Sequence, residues 1–507
     1  MSSAGAVRPS VRPSDDARLT RQAIPCGPFE DRRTASGSRG RAVASQRRFE
    51  ASVNVLERAA DFLVVVSAVF AAQGIYEGLN VGKHLRYPFH LVAITAACFA
   101  LLFVYLMDCD GGYQRGNSLL RIRETERILR VAMTAFLFVF PITFLAGQLF
   151  SRWLLILALL NVPLFLMVEK PLFWRWVRWM HAKGRGVQNV LIYGAGFTGR
   201  KVFSALARSP KLGLNPVAVV DDNSDLAGET IFEYSYRRQR SVPVISGPIT
   251  KQKIADWGAR QIIVAIPSLP QDRFSEVLAE AMAADATVAY VPRLSFSSEA
   301  TSNCAEIDGL LISEFGYQPD PPAYEITKRV FDFLLSTMLT FLALPVGLII
   351  AVLVRLDSSG PVLFSQKRIG RGGKPFRLYK FRSMYVEAPE YALHPQVARD
   401  PRITPVGRFL RRTSLDELPQ LINVLRGEMS LVGPRPEMPF IVDQYNAHHR
   451  QRLEVTPGIT GIWQLSADRA FLIHENIFYD LYYIRHRNFF MDVAILLHTV
   501  AFAMRGI

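Results

Sequence analysis

The order of apolar and polar positions divides the chain into regions of different texture. Four apolar stretches follow one another at about 55–75, 87–107, 128–150 and 153–167, the last running on into "EKPLFWRWVRWM". Each approaches the ~20 residues that an α-helix needs to cross ~30 Å of hydrocarbon, so the pattern predicts a unit of four transmembrane helices over residues 51–180. Buried helices of a soluble bundle would show similar runs. The charges argue against that reading. The segment before the first run is rich in Arg, the connection between the second and third carries Arg115, Arg121, Arg123, Arg127 and Arg130, and the fourth leaves through "RWVRWMHAKGR". The other connections are poorer in Lys and Arg, and the positive-inside rule then puts both ends of the unit in the cytoplasm.

Beyond Gly186 the pattern shifts to short β-branched runs alternating with helical ones. "VQNVLIYGAGFTGRKVFSALARSP" reads as a strand, a glycine turn and a helix, and Gly194, Gly196 and Gly199 fit G-x-G-x-x-G directly behind the strand. A second strand, "NPVAVVDDN", ends in Asp221 and Asp222, where an acid can meet a ribose hydroxyl, and "QIIVAIP" and "TVAYVP" read as further buried parallel strands. The expectation is a Rossmann-like α/β domain over 187–315. In it, Gly194, Gly196, Gly199 and Asp221 are the candidate nucleotide-binding residues. The same glycines also fit a role confined to close packing of helix on strand.

A fifth apolar run lies in "TKRVFDFLLSTMLTFLALPVGLIIAVLVRL" and is long enough to span. Both flanks are basic, with Lys328 and Arg329 before it and Arg355, Lys367, Arg368, Arg371, Lys374 and Arg377 after it, so both want the cytoplasm. Pro345, near its middle, removes a backbone donor and crowds the preceding turn. A kinked re-entrant helix over 328–356, entering and leaving by one face, satisfies both features. It opens a mixed, mainly helical domain over 324–507.

Composition narrows the classes. A chain of 507 residues, half of them hydrophobic, is too long for a single core. Its net charge of +15 would suit nucleic acid, but beside such apolar runs it fits an anionic bilayer surface and phosphorylated substrates better. Residues 1–50 carry few large apolar side chains and read as a disordered basic tail without the apolar core of a signal peptide. Cys26, Cys98, Cys109 and Cys304 form no C-x-x-C pair, so neither a disulfide framework nor a zinc site is legible.

The chemistry concentrates at the C-terminal end. "GPVLFSQKRIGRGGKPFRLYKFRSM" reads as a cationic β-hairpin turned at Gly370–Gly373, suited to lipid headgroups or to phosphate. In "RRTSLDELPQLINVL", Ser414 and Glu417 have the S-x-x-E spacing of a capping box, and Leu418, Leu421, Ile422 and Leu425 form a stripe for the core. The neighbourhood offers a second reading. Arg411 and Arg412 precede Asp416 and Glu417, and "LVGPRPE" follows, with Arg435 between Pro434 and Pro436. Two residues of fixed φ make a rigid mount for a guanidinium that recognises phosphate or base. A carboxylate amid arginines stays ionised and can attack phosphorus, and its neighbour can hold Mg²⁺.

"KFRSM", "RRTSLDELPQLINVLRGEMSLVGPRP", "VTPGITGIWQLS" and "YDLYYIRHRNFFMDVAIL" together resemble the polyprenyl-phosphate hexose-1-phosphate transferases, or monotopic phosphoglycosyl transferases. The likeness covers about 180 C-terminal residues, and the helical unit with the Rossmann-like domain resembles the large subclass that starts exopolysaccharide, capsule or O-antigen synthesis. It implies transfer of a hexose 1-phosphate, with glucose expected ahead of galactose, from a UDP-sugar to undecaprenyl phosphate, releasing UMP. It further implies Asp416 as the nucleophile that forms a phosphosugar–enzyme intermediate, Glu417 as its support through Mg²⁺, and Arg435 as a nucleotide contact. Lys380, Arg382, Arg411 and Arg412 become phosphate-binding candidates. Arg485 and Asp492 fall in the last motif without an implied role, and Glu428 stands where the family often has Asp. The implied partners are the UDP-sugar, the lipid phosphate, the bilayer and a second copy in a homodimer, with no nucleic acid. The implied location is the bacterial inner membrane, both α/β and catalytic domains facing the cytoplasm.

Two other classes compete. A membrane-bound NAD-dependent nucleotide-sugar dehydratase or epimerase would also join membrane helices to a Rossmann-like domain, and "YEITK" (Tyr324 to Lys328) fits its Y-x-x-x-K. A non-enzymatic scaffold or lipid transporter would have no use for the Asp-Glu and Pro-Arg-Pro pair. His448, His449, His474 and His486 lack the spacing of metal ligands.

Overall fold

The computed structural model describes residues 24–25, 39–79, 87–113, 121–145, 151–208, 212–235, 238–291, 301–307, 310–316, 322–388, 400–465 and 477–503. The chain divides into two compact units, one of residues 1–49 with 178–293 and one of residues 50–177 with 294–507.

Helices α1 (Arg39–Leu79), α2 (Phe89–Cys109), α3 (Arg121–Leu145) and α4 (Arg152–Ala182) coincide with the four apolar stretches. Of the tail expected over 1–50, residues 39–50, "RGRAVASQRRFE", extend α1, because Ala, Arg and Gln favour helix and no proline interrupts them; Ile24–Pro25 apart, the rest of it lies outside the described residues. Val65, Ala68, Phe99, Phe103, Ile128, Ala132, Val162 and Leu166 form the core of the bundle. Inside it the Lys170 ammonium donates to Glu57 at 2.8 Å and to Asp61 at 3.0 Å, and the Tyr113 hydroxyl donates to Asp61 at 2.8 Å.

In the other unit, β1 (Ile24–Pro25), β2 (Gln188–Tyr193), α5 (Phe197–Arg208), β3 (Leu214–Asp221), β4 (Thr230–Ser235), β5 (Arg238–Ser246), α6 (Lys251–Asp256), β6 (Gln261–Val264), α7 (Gln271–Ala283) and β7 (Thr287–Tyr290) build one sheet with flanking helices. The order is β1-β5-β3-β2-β6-β7, with parallel neighbours throughout and β4 antiparallel on β5. The order β5-β3-β2-β6-β7 is that of a doubly wound Rossmann sheet, and β2 beside β6 is its switch point. Leu191, Tyr193, Val220 and Ile262 face α6 and α7, while Val190, Ile192 and Val219 face Phe203 of α5. Burial on both faces explains the unbroken apolar runs of these strands. The domain ends earlier than the expected 315: β8 (Thr301–Ile307) and β9 (Leu310–Gly316) pair antiparallel as a separate sheet.

Helix α8 (Pro322–Asp357) runs uninterrupted across Pro345. It leads into the antiparallel hairpin β10 (Leu363–Ile369) and β11 (Pro375–Phe381), turned where the glycines predict, with Gly372 at φ 66°. There follow α9 (Pro405–Thr413), α10 (Gln420–Arg426), β12 (Ser430–Val432), α11 (Pro439–Val442), α12 (Ala447–Arg450), β13 (Gly458–Thr460), α13 (Ile462–Leu465), α14 (Ile477–His486) and α15 (Phe489–Ala503). Leu378, Leu421, Val424, Met429, Val432, Ile462, Tyr483, Met491 and Ile495 form their core, and Ile122 of α3 is buried in it.

Both ends of α8 are tied to this C-terminal module. At its start, Arg329 donates to the Val424 and Leu425 carbonyls that end α10, Lys328 pairs with Asp492, and Asp332 accepts from the Ser430 hydroxyl. At its end, Ile350 and Val354 pack on Phe381 and Leu410, and Asp357 accepts from the Val406 amide. Between them Phe341, Leu342, Leu344, Leu348 and Ile349 are exposed. Among the described residues α2, α4 and α8 are long and apolar enough to cross a membrane.

Candidate active site

Between α9 and α10 the backbone reverses. Ser414 takes a left-handed conformation (φ 58°), a single 3₁₀ turn over Leu415–Glu417 follows, and Pro419 stands at the N-cap of α10. This turn buries Asp416, which is 7% exposed. The capping-box reading does not hold. The Ser414 side chain caps nothing, its amide donates to the Arg411 carbonyl, and the Glu417 carboxylate points elsewhere. Glu417 Oε1 accepts from Lys380 Nζ at 2.7 Å and from Arg435 Nη2 at 2.9 Å. Lys380 comes from the end of β11 and Arg435 from the loop after β12, so three distant segments meet at one oxygen.

Arg411, in the last turn of α9, donates from Nε to the Ser383 hydroxyl of "KFRSM" at 2.9 Å. Gly407 lets α9 lie against that segment, since a Cβ there would stand 2.1 Å from the Ser383 carbonyl oxygen. Asp416 and Glu417 thus face three cations, Lys380, Arg411 and Arg435, and an incoming anion meets a net positive site.

The two acids titrate in opposite directions. Burial would raise the Glu417 carboxyl, but the ion pairs with Lys380 and Arg435 outweigh it and hold the group far below the usual range. Burial raises Asp416, the Lys380 charge offsets part of that rise, and the charge on Glu417 adds to it. Burial also lowers the Lys380 ammonium, with Glu417 opposing. The pair is therefore one permanent anion that organises cations and one less stabilised carboxylate that accepts no hydrogen bond from the described residues. That difference suits a nucleophile beside a support.

The Pro-Arg-Pro loop is anchored through its carbonyls, as it must be when two of its residues lack an N–H. The Gly458 amide donates to Pro434 O at 2.9 Å, Arg452 to Arg435 O at 3.1 Å and Arg368 to Pro436 O at 3.3 Å. The Ile369 amide takes Glu437 O at 3.0 Å. Pro434 and Pro436 are buried, and the Arg435 side chain is left to reach Glu417. Arg452 was not singled out in sequence, where an isolated Arg carries no spacing signal, and Arg368 and Ser383 entered there only within a basic flank and the "KFRSM" motif.

Two of the cationic candidates fall elsewhere. Arg382 is buried and donates to the Val354, Ser358 and Ser359 carbonyls at 3.3, 2.7 and 2.7 Å, closing the C-terminus of α8. Four carbonyls end every helix without intrahelical partners, and a guanidinium is well shaped to take several. Arg412 is exposed, and nothing described joins it to the acid pair. Asn423 is a buried tie, accepting from the Tyr379 amide and donating to the Arg377 carbonyl and to Glu428.

The Y-x-x-x-K pair resolves structurally as well. Tyr324 and Lys328 both donate to Asp492, which also accepts from Tyr483. In the Rossmann-like unit, a Cβ at Gly199 would lie 1.7 Å from the Gly194 carbonyl oxygen, so this glycine serves close packing. The Asp221 carboxylate, expected at a ribose, accepts from the Ala195 and Asn223 amides. Gly194 has φ 112° and turns the chain, while a Cβ at Gly196 would meet nothing within 4 Å. For a divalent ion the donors at hand are Asp416 and the second oxygen of Glu417. Two carboxylates completed by substrate phosphate suit Mg²⁺, which seldom has an all-protein cage. Among the described residues no group of three or more His, Cys, Asp or Glu is arranged for a metal.

The model of the bacterial sugar transferase family matches residues 323–506, and that of a CoA-binding domain matches residues 109–292. A UDP-glucose:undecaprenyl-phosphate glucose-1-phosphate transferase of Klebsiella pneumoniae is 28% identical over 476 residues, covering 90% of this chain and 97% of that protein. One of Escherichia coli (strain K12), bearing the same description, is 31% identical over 343 residues, 64% of this chain and 69% of its own. An undecaprenyl-phosphate galactose phosphotransferase of Salmonella typhimurium is 39% identical over 193 residues, 35% of this chain and 40% of its own.

Proposed function

Because the chain belongs to the bacterial sugar transferases, the polyprenyl-phosphate hexose-1-phosphate transferases, we propose that it moves glucose 1-phosphate from UDP-glucose to undecaprenyl phosphate. The products are undecaprenyl-diphosphate-glucose and UMP. The observation that carries the residue assignment is the convergence of Lys380 and Arg435 on one oxygen of Glu417, beside an Asp416 buried among cations and, among the described residues, without a hydrogen-bond donor.

In this reading an Asp416 oxygen attacks the phosphorus that carries the sugar. A P–O bond forms, the bond to the bridging oxygen breaks, and UMP leaves with that electron pair. The lipid phosphate then attacks the same phosphorus and restores the free carboxylate. Arg435 holds the nucleotide's phosphate, and Arg411 and Lys380 counter the charge that builds on the phosphoryl oxygens. Mg²⁺, held by Asp416 and Glu417, would neutralise the diphosphate when bound. The full-length likeness to the Klebsiella pneumoniae transferase favours glucose over galactose.

The enzyme would work from the cytoplasmic face of the bacterial inner membrane, with α1–α4 spanning and α8 re-entrant. The attachment of both ends of α8 to one module supports re-entry, as do its basic flanks. The active site would then lie at headgroup depth, where a cytosolic UDP-sugar and a membrane-bound phosphate meet. Purified protein given UDP-glucose labelled in its β-phosphate, with lipid phosphate omitted, is expected to gain covalent label, and Asp416→Asn to lose both label and turnover. Normal turnover by the Asn variant would reject Asp416 as nucleophile.

A further inference from the structure

Beneath the Pro-Arg-Pro loop lies a buried charge cluster whose residues carry no role in the reaction described above. Arg452, 4% exposed, sits in the turn after α12 and has partners in three directions. One guanidinium nitrogen donates to the Arg435 carbonyl at 3.1 Å, and another donates to the Tyr445 hydroxyl. Nε lies 2.8 Å from Asp480 of α14, and Glu437, the residue that ends the loop, is 3.7 Å away. Asp480 and Glu437 are 3% and 8% exposed. Two carboxylates and one cation out of water are costly to gather, and a surface this well covered would be filled more stably by apolar side chains. What an arginine adds there is direction: a planar fork that fixes three partners at once.

The partner that matters is the carbonyl of Arg435. Among the described residues, Arg452 is the one loop anchor that holds the residue whose side chain reaches Glu417, and it ties that residue to α14, an element distant in sequence. The prolines fix φ at 434 and 436, and the Pro434 and Pro436 carbonyls are each held by a donor, so the freedom left is that of the Arg435 peptide between them. A donor on the Arg435 carbonyl restrains it. We propose that Arg452, oriented by Asp480 and Tyr445, is a positioning residue that sets the Arg435 guanidinium against Glu417 and the donor nucleotide's phosphate. This rests on the reading of Arg435 as a nucleotide contact.

The test is a double-mutant cycle on full-length protein in detergent, with UDP-glucose and undecaprenyl phosphate as substrates. Arg452→Lys keeps a charge for Asp480 but cannot hold three partners together. Its expected effect is an increase of about tenfold in the KM for UDP-glucose and in the UMP concentration needed for inhibition, with kcat changed less. In an Arg435→Ala background the same change is expected to add less than about twofold, because its target is gone. Should Arg452→Lys fail to fold, Tyr445→Phe deletes one hydroxyl that orients Arg452 and carries the same cycle with a smaller effect of the same sign. Effects of equal size in both backgrounds, or a fall in thermal stability with unchanged KM, would overturn the inference while leaving Arg435 in place. If Arg435→Ala alone left KM and UMP inhibition unchanged, the nucleotide reading itself would fall.

Discussion

Replacing Lys380 with Met asks whether the ammonium beside the acid pair does more than hold a turn together. Methionine keeps the apolar stem, so the position at the end of β11 stays filled and only the charge is removed. Lost with it are the 2.7 Å bond to Glu417 and the largest of the charges that counter burial at Asp416. A hydrogen bond between charged groups contributes about 1.5–3 kcal/mol net. Here the Lys380 and Glu417 side chains keep 20% and 17% of their exposure, and Arg435 still occupies the same oxygen, so the lower figure applies. About 1.5 kcal/mol corresponds to roughly a tenfold loss in kcat/KM near neutral pH. The pH dependence is the more telling result. On the proposed mechanism Asp416 has to be ionised to attack; burial already raises its pKa, and Lys380 pulls it down. Without Lys380 the group protonates at higher pH, so the acidic limb of the profile moves upward and the deficit shrinks as pH rises. Profiles of kcat/KM from about pH 5.5 to 9 report the free enzyme's groups and suffice for the test. An equal loss at every pH, or an acidic limb displaced downward, refutes the electrostatic argument.

Two structural reassignments make predictions of their own. Arg382→Ala strips the donors from the Val354, Ser358 and Ser359 carbonyls, and buried acceptors left open should cost about 2–4 kcal/mol, seen as a lower thermal unfolding temperature in detergent. The KM for UDP-glucose of the folded variant should not change, and an increase would return Arg382 to the phosphate-binding set. Gly199→Ala puts a methyl 1.7 Å from the Gly194 carbonyl oxygen, which should cost about 3 kcal/mol or more. Limited proteolysis should then open the Rossmann-like unit first, and a cleavage pattern like that of the unaltered protein would contradict the packing role.

Much of the architecture was legible because it rests on local periodicity. Apolar runs placed α1–α4 and α8, the strand–glycine–helix pattern placed β2 and α5, and the glycines at 370–373 placed the hairpin turn. Errors arose where ordering depends on partners outside the window. "RGRAVASQRRFE" reads as tail by composition yet continues a helix, and β8 and β9 read as domain because nothing local says which sheet a strand joins.

The candidate site divides along the same line. By itself the sequence determined which residues could do chemistry: the Asp416–Glu417 pair, the Pro-Arg-Pro mount and a surplus of cations around them. It could not assign those cations, since Lys380, Arg382 and Arg411 look alike in a string. Only the tertiary structure turned Arg382 onto the end of α8, brought Lys380 and Arg435 to one oxygen of Glu417, and placed Arg452 under the loop. The reason is physical: a capping box is set within four residues by backbone geometry, whereas an ion pair between residues 380 and 417, or 417 and 435, forms only when strands and helices far apart in sequence pack together. Chemical identity is written residue by residue, and the direction in which a charge points is decided by packing.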